Sequence, residues 1–158
     1  VKTTDLVYYE ELGEWRPLDK VFNVDQAIAN FEDDGQDQSV VSEVFLQMSQ
    51  IATEEENIYY IGVQEKGALR LKGPDAVIMT DYRVCIGHHK MSGRWDFEMH
   101  YWDDVHVCTS RMRYGEELGT ISILLRSGER VEMDRIPREQ LKKLEKIAED
   151  VGTPAGAG

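Results

Sequence analysis

This 158-residue chain has no run of about 18 consecutive apolar residues, the length a membrane-spanning helix needs. No positively charged start followed by an apolar core is present, so no signal peptide is expected in these residues. Cysteine is scarce. Cys85 and Cys108 are too few for a disulfide framework, which points to reduced thiols and a cytoplasmic setting. Basic residues are also in short supply, 18 Lys and Arg against 30 Asp and Glu, a formal net charge of −12. A charge of that sign repels nucleic acid and anionic lipid at long range, so nucleic acid is not expected as a partner and a membrane surface is disfavoured. Motifs of catalysis are missing as well: no GxSxG turn, no glycine-rich phosphate loop and no HExxH helix occurs. Adjacent acids such as Asp103-Asp104 and Glu116-Glu117 would point apart on strands and read as turn charges. No enzymatic activity and no cofactor is expected.

The acidity is concentrated at one end. Residues 1–56 carry 3 basic and 14 acidic side chains, whereas residues 57–158 carry 15 and 16. The periodicity changes at nearly the same place. Residues 1–20 show no clean period apart from one short strand around Leu6–Tyr9. Asn23 can cap a helix in which Val24, Ala27, Ile28 and Phe31 recur at helical spacing, and "EDDGQDQ" breaks it. A second helix is expected from near Ser39, with Val41, Val44, Phe45, Met48, Ile51 and Ala52 along one side.

From residue 58 the period becomes two. Tyr59, Ile61 and Val63 alternate, as do Leu69 and Leu71, then Trp95, Phe97, Met99 and Tyr101, then Val105 and Val107, then Ile121, Ile123 and Leu125. Such alternation describes half-buried antiparallel strands. Turn signals fall at Gly67, Gly73-Pro74, Asp81-Tyr82, Ser92-Gly93, Gly115 and Ser127-Gly128. Seven or eight short strands so spaced read as a small barrel or two packed sheets. A last helix is expected after Pro137, with Leu141, Leu144, Ile147, Ala148 and Val151 as its apolar stripe. That stripe must be covered, and the open mouth of the sheets is the nearest cover. The tail "GTPAGAG" reads as flexible.

The segment "VIMTDYRV", with Ile78, Thr80 and Arg83 in an (L/I)xTxxR spacing, resembles the bacterial pleckstrin-homology-like (PH-like) domain family. "EENIYYIGVQEKG" upstream, "YWDDVHV" and "GTISILLRSGERVEM" downstream extend the resemblance over residues 54–151. It implies an α+β, mainly β fold: a barrel of two near-orthogonal antiparallel sheets of about seven strands, capped by the C-terminal helix. Residues 1–53 would form an acidic, largely helical extension and 152–158 a tail. It also implies a binding or assembly role, with the chain itself or another protein as partner, since some members self-assemble into rings. Relatives of this fold bind phosphoinositides through basic residues near the first inter-strand loop. Here Lys66, Arg70 and Lys72 occupy that region and make an anionic-lipid headgroup or phosphate the alternative ligand, although Glu65 and Asp75 flank them.

Three side-chain groups invite a chemical reading. Thr80 to Arg83 is expected to make and hold a hairpin turn, with Arg83 a structural charge before an anion ligand. His88, His89, His100, His106, Cys85 and Cys108 all lie between residues 85 and 108, and alternation would put Cys85, His106 and Cys108 on one face. Zinc takes four such ligands, but no CxxC pair or established spacing occurs, so ordinary strand residues are expected and no metal. A Cys85–Cys108 disulfide is disfavoured in a reducing compartment. The remaining signal is aromatic: three Trp and seven Tyr in one small chain, together with unpaired sheet edges, suit protein interaction.

Overall fold

The computed structural model describes residues 6–9, 14–17, 34–65 and 73–152. The expected helix over residues 24–31, the Leu69 and Leu71 pair and the basic trio Lys66, Arg70 and Lys72 lie outside them. The backbone of β1 (Leu6–Tyr9) pairs antiparallel with β2 (Glu14–Pro17), so the short expected strand has a partner that the sequence pattern did not disclose.

Helix α1 (Gln38–Ile51) starts one residue before Ser39, because Asp37 is the cap: its Oδ1 accepts from the backbone N–H of Ser39 (3.0 Å) and Val40 (3.4 Å). Val40, Val41, Val44, Phe45 and Met48 are buried, and Ile51, expected on that stripe, is exposed at the end of the helix. Four strands follow in spatial order β3 (Ile58–Val63), β4 (Ala76–Thr80), β5 (Arg83–His89) and β6 (Trp95–Tyr101), all antiparallel. After a 3-10 turn, Trp102–Asp104, a second antiparallel sheet runs β7 (Val105–Arg111), β8 (Leu118–Leu125) and β9 (Arg130–Pro137). Helix α2 (Arg138–Gly152) ends the fold, with Pro137 as the last residue of β9 rather than the first turn of the helix.

The register of the first sheet shows why β4 is buried at all five positions. Ile61, Ile78, Cys85 and Met99 form one row across the sheet, and Gly62, Val77, Ile86 and Glu98 form the next, pointing to the other face. The Gly62 row lies under α2, since a Cβ on Gly62 would stand 2.9 Å from Leu144 Cδ1. The Ile61 row lies under α1, whose Glu43 accepts a hydrogen bond from Trp95 Nε1 on that same face (3.4 Å). Both faces of β3 and β4 are therefore covered, and the two-residue alternation gives way to the contiguous run "AVIMT". The side chains of α1 belong to one buried cluster with both sheets and α2.

Three register shifts occur in the sheets, and two of them correct alternation assignments. A shift between Ile58 and Tyr60 turns Tyr59 out to solvent and Tyr60 inward. A shift between Val105 and Val107 exposes Val107 and brings Cys108 toward the core. A third, between Gly119 and Ile121, faces Arg135, which takes a left-handed backbone (φ 60°). That kink lets the Arg135 carbonyl accept from Glu65 N–H (2.8 Å), while Gln64 Nε2 donates to the Asp134 carbonyl (2.9 Å). The end of β3 is thereby laced to β9. At the opposite corner, β6 and β7 follow one another in the chain without pairing, so each is an edge of its own sheet among the described residues.

The segment before α1 is tied down as well. Tyr60 donates its hydroxyl to Asp34 Oδ2 (2.8 Å) and accepts from Gln36 Nε2 (2.9 Å). Lys143 of α2 reaches the same Asp34 oxygen (2.6 Å), and Gln140 Nε2 donates to the Asp34 carbonyl. Sheet, α1 and α2 meet at this clasp.

Candidate functional site

The TDYR turn between β4 and β5 is a densely hydrogen-bonded polar centre. Thr80 Oγ1 accepts from the backbone N–H groups of Tyr82 and Arg83, each at 3.0 Å, and closes the turn. The same hydroxyl donates to Glu56 Oε2 (2.6 Å). Arg83 meets the Glu56 carboxylate with two prongs, Nε to Oε2 (2.8 Å) and Nη2 to Oε1 (2.7 Å). Trp102 Nε1 donates to the Thr80 carbonyl (2.7 Å), and Asp81 accepts from the backbone of Asn57 (2.9 Å).

The Glu56 side chain is fully buried and that of Arg83 nearly so. Burial alone would raise the Glu56 carboxyl; the hydrogen bonds from Arg83, Thr80 and the Thr53 backbone outweigh it and hold the carboxyl below its ordinary value. The bond to Glu56 raises Arg83 in turn. Arg83 is thus a structural charge whose acceptor comes from its own chain, as the sequence reading expected of a hairpin-end arginine.

The outward side of this centre is apolar and exposed. Arg83 lies beneath the ring of Tyr101 (guanidinium carbon 5.8 Å from its centroid), and its Nη1 stands 3.3 Å from Met99 Sδ. Met99 is 38% exposed and Tyr101 57%, and Tyr82 on the turn is 39% exposed. Met99 and Tyr101 share the face that α1 covers over β3–β5 and leaves open over the end of β6. Strand β6 therefore departs from its own alternation: Trp95 and Phe97 are half-buried, while Met99 and Tyr101 point into solvent. Aromatic and thioether groups held from behind by a fixed guanidinium lose little freedom when a partner covers them.

The histidines and cysteines are dispersed. Cys85 lies buried on β5 and Cys108 on β7 in the other sheet, so they do not share a face; both are free thiols, each pushed up to about 12 chiefly by burial. His89 stacks on Trp95 (centroids 4.3 Å apart), and His106 is exposed. His100 Nε2 pairs with Glu98 Oε2 (2.7 Å), and His88 lies 3.6 Å from Asp75 and 3.8 Å from Glu98. Among the described residues no group of three or more His, Cys, Asp or Glu is placed to hold a metal ion. Ser110 donates to the Glu145 carboxylate beside an open groove between β7 and α2, where Met112 and Leu141 meet Arg138, Lys142 and Lys146.

Sequence reasoning missed Glu56. One sign of it was available: the last acid of "TEEEN", just before a strand whose neighbour ends in an arginine-bearing turn. It also counted Met99 and Tyr101 with the inward residues, because nothing in the local pattern says where a covering helix stops. No helix among the described residues is long and apolar enough to cross a membrane. No family model matches the chain, and no curated protein matches it.

Proposed function

We propose that the chain is a non-enzymatic, PH-like binding and assembly module whose partner is a protein, docked on the open end of β6. The observation that carries this reading is the exposed Met99–Tyr101 surface on a strand edge that is unpaired among the described residues, backed by the buried Arg83–Glu56 pair. Tyrosine over a rigid support is a typical interface anchor, and an unpaired edge strand offers backbone donors and acceptors beside it. Two antiparallel sheets of four and three strands with a C-terminal helix are consistent with the PH-like resemblance. The alternative, a phosphate or anionic-lipid headgroup held by Lys66, Arg70 and Lys72, rests on the sequence alone.

The test is a selection of randomised displayed peptides against the full chain. Enriched peptides are expected to bind Tyr101→Ser about 30-fold more weakly than the parent, the loss of one interface anchor. If every enriched peptide binds Tyr101→Ser and Met99→Ser as tightly as the parent, the reading is wrong.

A further inference from the structure

The outer strand of the first sheet reads, from residue 95, Trp-Asp-Phe-Glu-Met-His-Tyr. Folded back on a second copy about Glu98, this sequence matches itself. In an antiparallel pair centred there, Trp95 faces Tyr101 of the other copy, Phe97 faces its Met99, Asp96 faces its His100, and Glu98 faces Glu98. Aromatic meets aromatic, apolar meets apolar and acid meets imidazole at six of the seven positions. We infer that a second copy of this chain pairs with it through β6, joining two four-stranded sheets into one of eight. The inference rests on the protein-binding reading above and names the partner.

The folded chain supplies what this pairing needs. β6 bonds only to β5 in the sheet order, so its other edge is unpaired among the described residues. A closed two-fold interface requires one patch to be complementary to itself, which a near-palindromic strand provides. The register of β5 with β6 puts Trp95, Phe97, Met99 and Tyr101 on one face and Asp96, Glu98 and His100 on the other, so facing pairs in the dimer meet on the same side of the joined sheet. Met99 and Tyr101, the exposed residues of the first face, would lie against the half-buried Phe97 and Trp95 of the second copy.

On the opposite face Asp96 is about half exposed, and His100 bonds Glu98 through Nε2, leaving Nδ1 as the nitrogen offered to Asp96 across the axis. The like-charged Glu98 pair is the one mismatch. It is softened by the His100 of its own chain at 2.7 Å and by His88 at 3.8 Å.

Two opposing forces set the strength. Seven residues of added strand bury less surface than a standard stable interface, and each chain carries a net charge of −12, so the dimer is weak, with a dissociation constant of about 10–100 µM. Raising the salt screens the repulsion and strengthens it.

Cysteine placed at the axis reads out the register. In the full chain, Glu98→Cys puts two thiols directly opposite, at the roughly 5 Å Cα separation of facing antiparallel residues, which a disulfide spans. Asp96→Cys puts them four positions out of register, beyond reach. Cys85 and Cys108 give little background, being buried or nearly so with thiols pushed up to about 12. With oxidised glutathione and non-reducing gels, Glu98→Cys is expected to form a covalent dimer at least ten-fold faster than Asp96→Cys. Equal cross-linking of both variants overturns the register. Absence of cross-linking in Glu98→Cys, with a circular-dichroism spectrum matching the parent, overturns the pairing itself. If displayed peptides then still require Tyr101, the protein-binding reading stands while this inference falls.

Discussion

Arg83→Met is the substitution that most directly measures the TDYR centre. It keeps the length and much of the volume of the side chain but removes both prongs from the Glu56 carboxylate (2.7 and 2.8 Å). A fully buried Glu56 is left with Thr80 Oγ1 and the Thr53 N–H as its donors. Breaking a buried pair from one side costs about 3–5 kcal/mol, because the remaining charge has no compensation. For a chain of this size about 1 kcal/mol moves the melting temperature by roughly 2–4 °C, so a fall of about 10 °C is expected.

The double variant Arg83→Met with Glu56→Leu removes both charges and should recover most of that loss, since an apolar pair of similar volume is often neutral. Acidity gives the third arm. The Glu56 carboxyl is held below its ordinary value, so its contribution is present above about pH 4.5 and is lost as the pH falls through the folded value. The gap between parent and Arg83→Met, measured by thermal and urea unfolding, should therefore narrow from pH 7 to pH 3. A single variant that costs less than 1 kcal/mol, or a gap that widens in acid, refutes this account of the turn.

Three further outcomes follow from close contacts and buried groups. Gly119→Ala places a Cβ 2.4 Å from the Arg111 carbonyl oxygen and should unfold the second sheet, whereas Gly62→Ala meets only the Leu144 methyl at 2.9 Å and should cost about 1–3 kcal/mol in urea titration. Tyr60→Phe breaks the clasp at Asp34 and Gln36 and should lower stability by about 1–2 kcal/mol with the slope of the urea transition unchanged. At pH 8 the native chain should react with an aromatic disulfide reagent at neither Cys85 nor Cys108 within minutes and at both after denaturation, since the folded thiols are raised to about 12.

Much of the architecture was legible because period carries it. The switch from helical to two-residue spacing at residue 58, the turns at Asp81-Tyr82 and Ser127-Gly128, and the stripe Leu141, Leu144 and Ala148 all correspond to observed elements. Errors arose where one inserted residue locally breaks the alternation, as at Tyr59 and Val107. The site was harder to read. Thr80 and Arg83 declared a turn, yet their partner Glu56 lies 27 positions from Arg83 and is brought there by the return of the chain from α1. Exposure at Met99 and Tyr101 depends on where α1 ends over the sheet, a tertiary fact with no local signature. The histidines and cysteines looked clustered only because they are near in sequence; the crossover from β6 to β7 carries Cys108 into the other sheet, away from Cys85.

The most direct test of the β6 edge as a docking surface is sedimentation equilibrium of the full chain from about 5 to 500 µM, at low salt and at 0.5 M sodium chloride. Pairing through this edge gives a rise from the chain mass toward twice that mass, displaced to lower concentration by salt and abolished in Met99→Lys with Tyr101→Lys. A single species of chain mass across the whole range in both salts, or a dimer that the paired lysines leave intact, contradicts it.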